Sequence, residues 1–408
     1  MLNKVNRFKK IYPWYKGFTG DLLFYIAIDT LFLSLVKRFS PAEIVSISSI
    51  SKLVCIALQF PLLFVIKKIG NTASIRLGAF MLLLSAIFIT FGPNYYLVLL
   101  GRIFHDVAAI FKSASTVALE NNLELIDSRK DFVRVRTSAN TVYSVITMLI
   151  AFVASYMFNL NNYLPMFGCI TTCTIGFILS LMLKDYSSYD KIPKQNKSKQ
   201  KVKINYNKIV IISIILYAVF YAIVSNGQSE GKLYIQQQLL LDFNVDNTSL
   251  IIGGILIASR VIRVFSNMIF AKLYEKYQAK TGIALPTMLG IAFALILFGS
   301  FIPQLLVKIL VMGIGYTIIL FVRDPFNLYI QDVLFSTTPK QEHQTLLAIL
   351  EFGVKIASAG IGLVFSAILL GFDLIVVMAI LLAIAITEII LSIRLYRAIL
   401  IGKQTKNA

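Results

Sequence analysis

A bilayer's hydrocarbon layer is crossed by about 20 apolar residues of helix, and this chain repeats stretches of that length from about residue 17 to about residue 394. They fall at about 17–36, 43–66, 75–92, 95–117, 137–158 and 164–183, then at about 208–228, 249–272, 281–301, 304–323, 346–369 and 373–394. The seventh and tenth are expected to run on, to near Leu241 and Val333. With 57% hydrophobic and only 14% charged residues, a soluble fold would leave much of its surface unwetted. In lipid each segment must satisfy its own backbone, so the spans are helices. The expected fold is all-α, a membrane protein of twelve transmembrane helices in two six-helix bundles, residues 1–183 and 208–408. A basic cytoplasmic linker, 184–207, joins them; it is too polar to bury a core of its own.

Charge placement fixes an orientation independently of hydropathy. Most of the 39 Lys and Arg residues flank the spans on one side, from Lys4, Arg7, Lys9, Lys10 and Lys16 at the start to the lysine-rich linker and the C-terminal tail. The opposite side has only Lys37, Arg38 and Lys232. By the positive-inside rule both termini are cytoplasmic, in a multi-pass protein of the cell membrane. The net charge of +19 is therefore topological, and no nucleic-acid partner is expected. The basic start resembles a signal-peptide n-region, but Asp21 and Asp29 interrupt the apolar run, which reads as an uncleaved first span. Cys55, Cys169 and Cys173 lie in apolar helices and suit packing. No catalytic set, metal-ligand spacing or phosphate-cradling loop occurs, so neither an enzyme nor a cofactor or metal site is expected.

Ionisable side chains inside the spans cost several kcal/mol each, roughly 3 for the commoner ones, and so point to function. The first helix carries Asp21, Tyr25 and Asp29 at i, i+4, i+8, along one stripe. Asp29 stands near mid-depth, where it serves proton coupling or pairs with Lys52 of the second helix. The fourth helix carries Arg102, His105, Asp106 and Lys112, with Arg102 and Asp106 one turn apart. Asp29, Asp21, His105 and Asp106 are the proton-coupling candidates. Arg260 and Arg263 in the eighth helix have no acid in their span and suit an anionic group, or else pair across helices with Asp324 or Glu388. In the seventh helix, Gly227 and Gly231 should break the helix among polar residues, making Gln228 and Gln236 polar-contact candidates. Substrate-binding candidates are thus Arg102, Lys52, Arg260, Arg263, Gln228 and Gln236. Pro325, after Arg323 and Asp324, should kink the tenth helix, and these three are gating candidates.

The 6+6 plan with its central linker resembles the major facilitator superfamily over essentially the whole chain. Gly101-Arg102 is similar to that family's Arg-containing helix-4 motif. The loop Lys67-Lys68-Ile69-Gly70-Asn71-Thr72 shares the basic pair and glycine of its helix 2–3 motif. The equivalent second-half loop, Lys272 to Tyr277, keeps the carboxylate Glu275 but lacks the glycine. The resemblance implies two bundles rocking about a central site, and it adds Gly70 and Glu275 to the gating candidates.

The expected function is a secondary active transporter of a small organic solute, anionic or zwitterionic, working by alternating access on a proton or other ion gradient. An efflux pump for apolar or cationic compounds, with Asp29 as the cation site, is the rival within transport. A non-transporting sensor or scaffold, its linker on anionic lipid, is the rival outside it.

Overall fold

The computed structural model describes residues 2–128, 131–187, 208–277, 280–338 and 343–407, and every element among them is a helix. These are α1 (Leu2–Thr19), α2 (Leu23–Leu31) with a π-helical turn (Phe32–Val36), α3 (Pro41–Ile69), α4 (Asn71–Phe91), α5 (Tyr95–Lys112), α6 (Ala114–Glu124), α7 (Asp131–Leu160) and α8 (Leu164–Met182). There follow α9 (Lys208–Leu240), α10 (Val245–Tyr277), α11 (Thr281–Gly299), α12 (Leu305–Thr337), α13 (His343–Ile368) and α14 (Leu374–Asn407). Among the described residues, 11 helical stretches are long and apolar enough to cross a membrane, the first of them Leu2–Val36. The 18-residue α5 has the length of a span but carries Arg102, Asp106 and Lys112; counting it gives the expected twelve.

The described residues fall into two compact units, one within Met1–Arg38 and Ile50–Ser198, the other within Phe39–Ser49 and Lys199–Ala408. In the first, α1 packs on α7 and α8, and α4 on α5 and α8. In the second, α9 packs on α12, α13 and α14, α11 on α12 and α14, and α10 on α12. Local signals start the helices as expected. Ser40 and Glu43 form a reciprocal capping box at α3, the Ser40 N–H donating to Glu43 Oε2 at 2.8 Å and the Glu43 N–H to Ser40 Oγ at 3.3 Å. Asn94 caps α5 by accepting from the Leu97 N–H at 3.0 Å. Gly70, at φ 86°, makes the left-handed turn between α3 and α4 that a side chain would strain.

Three expectations need correction. The first span is not one helix: α1 ends at Thr19, and the chain re-enters helix at Leu23 after Gly20, Asp21 and Leu22. Asp21 therefore stands in a break, and the stripe Asp21, Tyr25, Asp29 does not lie along a continuous helix. Conversely, Gly227 and Gly231 do not interrupt the seventh span, since α9 runs unbroken for 33 residues. At Gly227 the reason is a close neighbour: a Cβ there would sit 2.5 Å from the Phe293 ring of α11. Lys232, expected outside the membrane, is buried within α9. At the start of the expected linker the chain packs on the first unit. Asp185 is buried, accepting from Asn71 Nδ2 and Asn121 Nδ2, both at 2.8 Å, and from Ser187 Oγ at 2.6 Å. Residues 188–207 lie outside the described part.

Two lysines close helix C-termini, where carbonyls lack intrahelical donors. Lys37, just after the π-helical turn, donates to Thr90 O at 2.7 Å and Gly92 O at 2.8 Å at the end of α4. Its partial burial pushes that ammonium below the usual lysine range. Lys112, at the end of α5, donates to Thr19 O at 2.5 Å, the last residue of α1 before the break.

Candidate functional site

The helix break and α5 together build a cluster of ionisable groups in the first unit. Leaving helix at Gly20 frees the Asp21 carboxylate to turn back on its own chain, where Oδ1 accepts the Leu22 N–H at 2.8 Å. The same oxygen lies 2.8 Å from His105 Nε2. The other ring nitrogen, Nδ1, lies 3.0 Å from Asp106 Oδ1. Asp106 Oδ2 accepts from Ser51 Oγ of α3 at 2.5 Å, and Arg102 Nη2 stands 3.7 Å from Oδ1. The imidazole is thus clamped between two carboxylates from different elements, with a hydroxyl and a guanidinium on the far one.

Proton count governs this geometry. A neutral imidazole donates from one nitrogen and accepts at the other, while an ionised carboxylate only accepts. Both contacts are hydrogen bonds only when the cluster holds one proton more than a neutral ring and two carboxylates supply. With that proton, Asp21 and Asp106 balance His105 and Arg102. Without it, one ring nitrogen faces a carboxylate lone pair to lone pair and a net negative charge remains.

The remaining candidates are placed as follows. Asp29, half-buried on α2, accepts the Thr30 N–H at 2.7 Å, and Lys52 is half-buried on α3. Arg102 Nε is buried without a hydrogen-bond partner among the described residues. In the second unit, Arg263 is committed to Asp324 by a two-pronged ion pair, Nε to Oδ2 at 2.7 Å and Nη2 to Oδ1 at 2.9 Å. It is therefore not the open anion receptor that its own span suggested, whereas Arg260 makes no ion pair among the described residues. Gln228 Nε2 is buried without a partner among the described residues, and the Gln228 backbone carbonyl accepts from the Tyr316 hydroxyl at 3.3 Å. Gln236 is buried. Arg323 offers its carbonyl to the Tyr221 hydroxyl at 2.6 Å. Pro325 is buried inside continuous helix α12, and the next residue, Phe326, stacks on Phe220 at 3.7 Å between ring centroids. The Glu275 side chain lies outside those described.

Sequence reasoning missed Ser51 and the cap that Lys112 provides. A serine in a helix normally bonds its own preceding turn, so its spacing carries no signal for a tertiary acceptor.

Helical units of membrane-spanning length, with ionisable groups enclosed among the spans, define a multi-pass membrane transporter. The chain belongs to the major facilitator superfamily: residues 17–334 match the family model described as Major Facilitator Superfamily. Solved structures share the fold at low identity. A point mutant of the nucleoside transporter NupG aligns at TM-score 0.78 and 12% identity, over 96% of this chain and 99% of that one. A POT family transporter in complex with 5-aminolevulinic acid aligns at 0.73 and 10%, over 97% and 96%. A bacterial homologue of the iron transporter ferroportin, in an inward-facing state, aligns at 0.69 and 11%, over 97% and 99%. No curated protein matches the sequence.

Proposed function

We propose that this chain is a secondary active transporter that couples movement of a small organic solute to a proton gradient by alternating access. It would work in the cell membrane of a bacterium, with both termini and the linker cytoplasmic and no nucleic-acid partner. The observation that carries the coupling is His105 held between Asp21 and Asp106 at 2.8 and 3.0 Å, a cluster complete only with a proton bound. Transport follows when solute binding and that proton depend on each other. Arg102 is the link: its guanidinium leans on Asp106 and keeps an unpartnered Nε donor for a solute acceptor. A negative or zwitterionic solute is favoured by Arg102 and Arg260, Arg263 being already paired. The solutes named for the fold neighbours, a nucleoside, an amino-acid-like acid and iron, share no chemistry, so the fold leaves the solute class to these side chains.

The test is purified protein in liposomes with an interior pH dye, an imposed proton gradient and a panel of anionic, neutral and cationic solutes. Solute-dependent proton movement is expected for an anionic or zwitterionic member, falling to background in His105→Gln and strongly reduced in Asp29→Asn. Solute flux without proton movement would remove the coupling. Flux of cations alone, lost in Asp29→Asn, would move the assignment to an efflux pump.

A further inference from the structure

The coupling cluster leaves a second ionisable group unused, on the last helix of the second unit. Along α14 the buried positions Leu381, Ala385, Glu388, Ser392 and Leu395 recur at three- and four-residue intervals, forming the stripe that packs inward. The helix meets α9 and α11, and the Gly290 face of α11 lies against Ala385 and Ile389, on either side of position 388. Glu388 stands mid-stripe with 0% of its surface exposed, and neither carboxyl oxygen has a hydrogen-bond partner among the described residues.

Among the described residues no cation is hydrogen-bonded to it. Helix α11 carries no ionisable side chain between Thr281 and Gly299. Those of α9 are Lys208, Tyr217, Tyr221, Glu230, Lys232 and Tyr234; those of α13 with described side chains are Glu351 and Lys355; and α14 itself offers Arg394, Tyr396 and Arg397. Among the described residues, none of them hydrogen-bonds Glu388. One turn along α14, Ser392 Oγ is likewise buried without a hydrogen-bond partner among the described residues.

An ionised carboxylate there, without a donor or cation, would cost far more than any contact in the seam returns, so the side chain is held as the neutral acid. A permanently neutral position is better filled by an apolar residue, which leaves no orphaned oxygens. We propose that Glu388, at the α9–α11–α14 seam, is a second proton-binding site of this transporter, loaded in the state described here and exchanging its proton when water reaches the seam. The Ser392 hydroxyl, one turn along α14, is the donor that would receive the carboxylate once the proton leaves. The site stands apart from the coupling proposed for His105, because it needs no solute to be detected.

A hydrophobic carbodiimide adds covalently to protonated carboxyls in apolar surroundings and so reports the acid form directly. The full chain in liposomes would be treated across a pH series and the adducts located by peptide mass spectrometry, with rates normalised to reagent hydrolysis. Glu388 should be modified at neutral pH, the rate falling about tenfold per unit on the alkaline side as the acid ionises. Glu388→Gln, which mimics the neutral acid, should fold like the parent and lose the adduct at that position alone. An unmodified Glu388 at every pH at which the chain stays folded would overturn the proposal. So would modification at a rate indifferent to pH, which marks a permanently neutral structural acid. Neither result bears on His105, whose failure would show only in solute-dependent proton movement.

Discussion

At the scale of single residues, charges inside this chain are kept by specific partners, and the partners decide which remain available. Arg263 and Asp324 show it most clearly. Their two-pronged geometry removes a cation that spacing within its own span presented as free, and cross-helix pairing is the arrangement found. Removing either partner strands the other charge. Arg263→Met and Asp324→Asn should each lower the thermal midpoint in detergent by more than the double substitution does. The coupling energy should be about 1–3 kcal/mol, toward the lower figure because the side chains are 35% and 28% exposed. Strict additivity in the double-mutant cycle would show that the pair contributes nothing. Among the cluster residues, Asp21, Arg102, His105 and Asp106 were legible in advance, because an ionisable group in an apolar span needs a reason to be there. That His105 is the joint between the two acids was not legible, since Asp21 and His105 are brought together only by the tertiary fold.

At the scale of elements, the lesson concerns glycine and where helices break. Two glycines four residues apart in a polar stretch looked like an interruption of the seventh span, yet α9 is continuous. Propensity charges about 1 kcal/mol for each glycine, and close packing of α11 repays it at Gly227. The actual break, in the first span, falls at a single glycine, Gly20. It persists because its freed groups find partners: Lys112 takes the Thr19 carbonyl and the Asp21 carboxylate takes the Leu22 N–H. Partners of that kind leave no trace in a linear pattern. Gly227→Leu should therefore fail by overpacking, losing about 1–3 kcal/mol of stability. Adding Phe293→Ala should recover part of that loss. If instead Gly227→Leu leaves the midpoint unchanged and abolishes transport, the glycine serves motion rather than packing.

At the scale of the whole molecule, what could be read early was what the bilayer imposes. Span length, span number and all-α class follow from hydrocarbon thickness and from the need to satisfy every backbone group, and they hold regardless of tertiary detail. Orientation rests on the cation asymmetry and is open to a direct check. In a background with Cys55, Cys169 and Cys173 replaced, a membrane-impermeant maleimide should label Asn162→Cys in intact cells. Asn196→Cys should be labelled only after permeabilisation. The reverse pattern would invert the topology and with it the side from which each proposed proton site is loaded. Lys37, a cation expected on the outer side and at odds with a simple tally, has a local explanation as the cap of α4.

The position of His105 has an electrical consequence. It is the eleventh residue of the 18-residue α5, which places the ring roughly 15 Å along that helix. A proton seated there has crossed part of the transmembrane voltage drop, which is worth about 2.3 kcal/mol per elementary charge per 100 mV over its full extent. In the proposed coupling, occupancy of the clamp then answers to voltage as well as to acidity. Two cells at the same external pH but different resting potentials would load it to different degrees.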